Sequence, residues 1–423
     1  MSDYFLDSAA LSRVVSYADA SRIVQEHAVS SAGIWRFVQS TSLLDGLGMV
    51  LAEPVLADRD QPPFRRSTRD GFACRAADAE AGQPLRILGL IRAGEAGIRA
   101  LESVALSAGD AVEIMTGAPV PAGADCVVMI EHLQRIDNTL RLNRGRSIAA
   151  GDNIVPMGAE AREGDVILTP GTRMAAAQVG AAAACGATQL RVYTQPRVAI
   201  VATGDELVEV NEPLLTHQIR NSNSYSLAAQ VLAAGARPVR LPIARDERGP
   251  LEAAIRTGLE ADLLLLSGGV SMGKYDLVEE VLLSLGAEFF FTGALIQPGK
   301  PVVFGRIALG ERPVYFFGLP GNPVSTIVTF SLFAGPLLSA LSGEPYRGPS
   351  FVQGRLASDV RVKTGLTRFL PATLGSVGGE VTVELIAWQG SGDLANTSRS
   401  NCFLLVPADR PLLAAGETVT VLV

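Results

Sequence analysis

The residues best suited to chemistry form one run, Ser267-Gly268-Gly269-Val270-Ser271-Met272-Gly273-Lys274, directly after four leucines at 263–266. Four apolar residues of this kind suit a central strand buried on both faces. The abrupt change to glycine, hydroxyl and lysine marks the loop at its carboxyl end. Glycines let backbone N–H groups approach an anion closely, and a following helix N-terminus adds partial positive charge. Leu277, Val278, Val281, Leu282 and Leu285 fall on one side of that following helix. The run therefore reads as an anion cradle, with a tight structural turn as the competing reading. Its spacing is neither the GxxxxGK[ST] of a nucleoside-triphosphate loop nor the GxGxxG of a dinucleotide site.

The same device recurs at two other expected strand ends. ATGDELVE places Thr203, Gly204, Asp205 and Glu206 after a strand, and FFGLPGNPVST places Pro320, Gly321, Asn322 and Pro323 before a helix. In an open α/β sheet such loops converge at the carboxyl ends of the strands, which suits one elongated polar ligand. Asp205, Glu206, Asp246 and Asp276 would repel phosphates unless a cation such as Mg²⁺ bridged the two. For Asp205 taken alone, an N-cap or solvated charge is the better reading. The chain has three lysines, Lys274, Lys300 and Lys363, and two of them lie in the glycine-rich turns VSMGKYD and QPGKPVV.

The elements that must hold these residues follow from the pattern of the chain. From 193 to 342 strand, loop and helix alternate, which predicts a doubly wound, mostly parallel sheet. The segment EFFFTGALIQPGKPVVFGRI reads as extended, with the form of a hairpin on that sheet. Residues 50–150 carry short β-type runs between Gly/Pro turns and read as a β-rich inserted module. Residues 1–49 and 151–192 flank it and are expected to pack together as one discontinuous unit, with RMAAAQVGAAAACGA as a small-residue helix suited to close helix packing. Residues 343–423 return to short strands and predict a C-terminal β domain. The fold class is α/β and multidomain.

Composition excludes several classes. A chain of 423 residues with 48% hydrophobic and 19% charged residues describes a soluble globular protein of several domains. The apolar runs are expected to be broken by glycine, proline or charge before they reach membrane-spanning length, roughly 20 residues. With no signal-like start in MSDYFLDSAALSR, a cytoplasmic location is the expectation. A net charge of −7 without a basic run argues against nucleic acid. Cys74, Cys126, Cys185 and Cys402 lack paired spacing and read as small core residues, and His27, His132 and His217 are too scattered for a metal site.

In this order, PPFRRSTRDGFA, VEIMTGAPVPAGADCVVMIEH, ATGDEL, SGGVSMGKYD, QPGKP, GLPGNPVST, GSGDL and SNCFLLVP are highly specific together, and over nearly its whole length the chain resembles the molybdopterin molybdotransferases, or molybdenum insertases, a family that includes the E domain of gephyrin. The resemblance implies a homodimer with active sites shared across the interface. It implies Mg²⁺-dependent insertion of molybdate into adenylylated molybdopterin, with release of AMP, and a molybdopterin adenylyltransferase as a candidate partner. Ser267, Gly268, Gly269, Ser271 and Gly273 match the pterin-phosphate loop, with Pro320, Asn322 and Pro323 beside it. Glu206, Asp246 and Asp276 match the functional acids, Asp246 and Asp276 being candidate Mg²⁺ ligands. Asp70, Thr116 and Glu131 match polar positions of the β-rich module that face the neighbouring subunit's site. Lys300, Pro301, Arg368 and Ser391 match the molybdate pocket.

The chemistry of that pocket follows independently from charge. Bringing a dianion to a phosphorylated pterin requires fixed cations, which Lys300 and Arg368 supply, and Ser391 adds a hydroxyl donor. Four departures from the family pattern stand out: Arg69 where Met is usual, Gln297 where a lysine is common, Glu160 where aspartate is usual, and the lack of the family's common arginines near GDNIVPMGAEA. Two rivals share the sheet domain. Adenylyltransferase-like enzymes lack the flanking β-rich module and C-terminal domain, and a molybdopterin-binding scaffold would not need the set Lys300, Arg368 and Ser391.

Overall fold

The computed structural model describes residues 13–31, 37–94, 106–269, 277–310 and 312–423. The four leucines show how the central sheet is made. Leu263 and Leu265 enter one core with Val198, Ile200, Phe304 and Phe317. Leu264 and Leu266 enter a second core with Ala199, Val201, Val303 and Phe316. Successive side chains of a strand point to opposite faces, so a strand covered on both sides reads as an unbroken apolar run. Full burial of each leucine stabilises the fold by about 1.5–3 kcal/mol.

The six strands lie in the order Arg237–Arg240, Arg197–Ala202, Leu263–Ser267, Arg312–Leu319, Val303–Leu309 and Ala287–Phe291. The first four are parallel. The last two add antiparallel, in the form of the expected hairpin. Helices Ser222–Ala233 and Pro323–Ser342 contribute to the first core, and Arg248–Gly258 and Leu277–Ser284 to the second. This is the doubly wound, mostly parallel sheet read from the sequence, and it sends all three anion-type loops to one edge.

Three details differ from expectation. Helix Tyr17–Ser30, grouped from sequence with the 1–49 and 151–192 unit, buries Ala20, Ile23, Val24 and Ala28 in the first core of the sheet domain. Strand Val14–Val15 pairs there with Gly293–Ala294. An amphipathic stripe fixes which helix face is buried but says nothing about the surface it meets. The second difference is the helix Pro323–Ser342, which does not stop at Gly335-Pro336. A π-turn at Phe330–Ala334 precedes them. Proline lacks an N–H and crowds the preceding turn, and a widened turn relieves both effects. By length and composition this helix could cross a membrane, yet 72% of its apolar window is buried inside the protein. Third, the alanine-rich helix Ala176–Ala184 buries only Ala182 within this chain and leaves most of its small-residue surface open. Alanine favours the helix but offers little surface to bury.

The inserted module is a six-stranded sheet with cores of its own, which include Phe72, Val128 and Leu140 on one side and Ile91, Val112 and Val127 on the other. Cys74 and Cys126 face each other across adjacent strands, sulfurs 3.7 Å apart. That contact and burial push the Cys126 thiol up, in keeping with an inert core residue. Strand Val38–Ser42 pairs with Gln189–Tyr193, and Val55–Leu56 with Val166–Leu168, so the chain closes on itself around the insertion. The C-terminal sheet closes when Thr367–Val377 pairs with both Glu380–Leu385 and Cys402–Val406. Phe369, Phe403 and Leu422 of this barrel enter the first core of the sheet domain, which fixes the two bodies against each other.

Candidate active site

The three strand-end loops meet. Thr203 donates its backbone N–H to the Ser267 carbonyl at 3.0 Å, and Gly268 donates to the Leu319 carbonyl at 3.3 Å. Gly268 has φ +92°, and a Cβ there would lie 2.3 Å from the Thr203 carbonyl oxygen. Only glycine permits both the dihedral and the approach. Gly321 of the third loop lies against Gly268, its would-be Cβ 3.7 Å from the Gly268 Cα. Ser267 is buried at the strand end, while Gly269, Gly321 and Asn322 are exposed. Pro320 is buried, its carbonyl accepting from the Thr326 hydroxyl, and Pro323 opens the long helix. Ser271, Gly273 and Asp276 lie outside the described residues.

A residue not singled out by sequence reasoning joins two of these loops. Asn223, in the first turn of helix Ser222–Ala233, donates from Nδ2 to Ser267 Oγ at 2.9 Å and to the Gly321 carbonyl at 2.7 Å. The motif RNSNS signals a helix start, and Asn221 is indeed the N-cap, accepting from the Ser224 N–H. Nothing in that local signal says that the next asparagine reaches two distant loops.

The acids sit at the outer rim of the same edge. Asp246 accepts from the Thr203 hydroxyl at 2.5 Å, and its backbone N–H donates to Asp205 Oδ1 at 3.4 Å. The Glu206 carboxylate folds back over Gly204, within 2.7 Å of where a Cβ would stand. These exposed oxygens fit a hard cation that takes one or two carboxylates and completes its shell with water and phosphate oxygens. Among the described residues no group of three or more His, Cys, Asp or Glu side chains could hold a metal, so a cation here would also need oxygens from substrate.

A second cluster forms where the barrel meets the sheet domain. Strand Ile296–Gln297 pairs in parallel with the barrel strand, Ile296 opposite Thr367 and Gln297 opposite Arg368. Lys300 and Pro301 follow in the next turn, which Gly299 presses onto the long helix: a Cβ there would lie 2.4 Å from Thr329 Cγ2. Arg368 donates from Nε and Nη2 to the Lys363 carbonyl at 3.1 and 3.0 Å. Ser391 crosses the same seam. Its carbonyl accepts from the Val324 N–H at 3.0 Å, and its hydroxyl oxygen accepts from Asn322 Nδ2 at 2.9 Å. Asp393 braces that loop, and hydrogen bonds from the Asn396 side chain and from the Gln389 and Asn396 backbones hold its carboxyl below the usual range. Asn322 thus links the strand-end loops to the seam.

Asp70, Thr116 and Glu131 gather elsewhere, at one end of the inserted sheet. Asp70 Oδ1 accepts from the Thr116 N–H at 2.7 Å and from its hydroxyl at 3.0 Å. These bonds, the backbone one foremost, hold the Asp70 carboxyl below its ordinary value. Glu131 lies on the turn Ile130–His132, next to Ile130, whose N–H donates to the Asp70 carbonyl. All three are exposed, on a sheet whose buried core residues lie within the module, with Ile154 of the flanking unit packed against one side. Of the unusual residues, Glu160 pairs with Arg66 at 2.8 Å, and Gln297 is exposed beside Arg368.

Comparison with known proteins covers the chain almost end to end. Residues 15–186 match the MoeA N-terminal region (domain I and II), 199–340 a probable molybdopterin binding domain, and 353–423 the MoeA C-terminal region (domain IV). The chain is 34% identical to a molybdopterin molybdenumtransferase of Bacillus subtilis, across 90% of this chain and 88% of the relative. A protein of the same name from Nostoc is 33% identical, across 91% and 89%. A solved structure of a molybdopterin biosynthesis MoeA protein from Pyrococcus horikoshii superimposes with TM-score 0.75 at 26% identity, across 97% of this chain and 99% of that one.

Proposed function

The chain belongs to the molybdopterin molybdenumtransferase family, transferases of molybdenum cofactor biosynthesis, and from that premise we propose that it inserts molybdate into adenylylated molybdopterin in a Mg²⁺-dependent reaction that releases AMP. The observation that carries the reading is the seam itself. Strand Ile296–Gln297, in register with Arg368 and three residues before Lys300, joins the sheet domain to the barrel, and Asn322, next to Gly321, bonds the Ser391 hydroxyl across the same boundary. A dianion held there lies beside, rather than within, a site suited to phosphate.

In this reading Ser267, Gly268 and Gly269, with Ser271 and Gly273 beyond them in the loop, hold the phosphorylated end of the pterin through N–H and O–H donors. Pro320, Asn322 and Pro323 shape the opposite wall. Lys300 and Arg368 offset the charge of molybdate as it approaches an anionic substrate, and Pro301 stiffens the turn that presents the lysine. The substrate's own dithiol sulfurs bond to molybdenum and their two protons leave with one molybdate oxygen as water, so the protein supplies position and electrostatics rather than a nucleophile. Asp246 and Asp276 would hold Mg²⁺, with the functional acid Glu206 beside them, and the ion when bound would offset the charge of the anhydride phosphates during adenylate hydrolysis. Asp70, Thr116 and Glu131 act on the site of a second subunit in a homodimer. Their exposure, together with the separate core beneath them, supports that assignment.

The test is one reaction with purified protein, adenylylated molybdopterin and Mg²⁺, with molybdate present or absent. Molybdate-dependent AMP release coupled to active cofactor is expected. Tight binding of the adenylate without turnover would overturn the insertase reading in favour of a scaffold.

A further inference from the structure

Asn223 donates both protons of its side-chain amide, one to Ser267 Oγ and one to the Gly321 carbonyl. The second bond fixes which end of the amide is which, because a carbonyl can only accept. The nitrogen must face Gly321, and so it also faces Ser267. Asn223 Oδ1 is buried and has no partner, so the residue is held by its donor end alone.

The consequence lies in the serine. A hydroxyl has one proton and two lone pairs, and its proton turns freely unless a neighbour occupies a lone pair. With Asn223 donating to its oxygen, Ser267 has no reason to point its own proton at residue 223. The proton is left to a ligand. Ser267 is buried at the strand end with Gly268 and Gly269 directly after it, so the ligand side of that hydroxyl is the glycine-rich loop. The same amide ties Gly321 to Ser267, and so keeps the second and third loops at a fixed separation.

We propose that Asn223 is a positioning residue that turns Ser267 into an oriented hydrogen-bond donor for the phosphorylated pterin and locks the Ser267 and Gly321 loops at ligand-binding distance. This deepens the function proposed above and rests on it. The partners lie 44 and 98 residues away in sequence, so no local reason for an asparagine at this place in the helix explains them.

Asn223→Asp keeps the shape and removes both donors. The carboxylate would draw the Ser267 proton toward itself and repel the Gly321 carbonyl. In the full-length protein, steady-state insertion with adenylylated molybdopterin should show KM for the pterin substrate raised about tenfold, the loss expected for a misdirected hydrogen bond. The half-saturating molybdate concentration should stay unchanged, a split that a general loosening of the fold would not produce. In a Ser267→Ala background the same change should raise KM by a smaller factor, about threefold, because the part that acts through the serine is already gone and only the tie to Gly321 is left to lose. An equal effect of Asn223→Asp in both backgrounds overturns the proposal, as does an unchanged KM in the single variant. Asn223→Ser, which keeps one donor but cannot span both loops, gives an intermediate KM and serves if the aspartate variant does not fold. Wild-type protein without molybdate-dependent AMP release sinks the functional reading and this inference with it, whereas an active wild type with an indifferent Asn223→Asp sinks the inference alone.

Discussion

At the carboxyl edge of the central sheet, a Cβ on Gly268 would stand 2.3 Å from the Thr203 carbonyl oxygen; in the inserted sheet, a Cβ on Gly71 would stand 2.0 Å from that of Val128. Each glycine sits next to a polar residue, Ser267 in one case and Asp70 in the other. There the likeness ends. Ser267 is buried and tied to Asn223, and its loop packs on Gly321 and leads through Asn322 to Ser391 of another domain. Asp70 is exposed and its carboxylate is held by Thr116, in the turn after strand Asp110–Ile114 of the same module. One polar end is completed by other parts of its own chain, and the other is presented outward, ready-formed. The site proposed above, shared between two subunits, would draw on both kinds of edge.

The largest effect expected of any variant is that of Gly268→Ala. Its side chain would displace the Thr203 backbone and strain a left-handed residue, so binding of the adenylylated substrate should fall by about 100-fold or more, read by equilibrium titration. Gly71→Ala should instead disturb pairing within the inserted sheet and leave substrate affinity of the sheet domain nearly intact; equal losses of affinity would erase the distinction between the two edges. Next in size, Lys300→Ala should lower the rate at limiting molybdate by about 100-fold, with recovery as molybdate is raised. An unchanged molybdate dependence would remove Lys300 from the pocket.

The smallest effect concerns pH and belongs to the outward edge. The folded Asp70 carboxyl is depressed by its Thr116 bonds. Its stabilising contribution is therefore complete above the unfolded value, about 4, and is lost as pH falls through the lower folded value. Thermal melts should show wild type slightly more stable than Asp70→Asn at neutral pH, and the margin should disappear as pH falls below about 4. Because Asp70 is exposed, the difference should be modest.

Much of the inward edge was legible because its signals are local. Four leucines running into a glycine loop mean a two-sided strand and its carboxyl end, and the proline and asparagine before Val324 mean a helix start. What escaped depended on contacts distant in sequence. Asn223 reads as part of a helix start, and only the fold brings Ser267 and Gly321 to it. Helix Tyr17–Ser30 shows a buried stripe, yet the sequence does not say that Phe290 and Phe304 lie opposite it, with His27 stacked 3.7 Å from Phe290. Gly335-Pro336 reads as a break, and the π-turn that lets the helix pass has no simple signature. At the outward edge, Asp70, Thr116 and Glu131 come from three segments, and the structure shows why they belong together: Gly71 pairs with both Ile114 and Met129.

The most direct test of the account is complementation between the two edges. Asp70→Asn and Lys300→Ala variants, each nearly inactive alone at limiting molybdate, are combined by co-expression so that mixed dimers form. If Asp70 serves the partner's site, each mixed dimer keeps one intact site, and random assortment restores roughly a quarter of wild-type activity. Activity no greater than the sum of the two separate variants would place both residues in one subunit's site, or Asp70 in none, and would contradict the account.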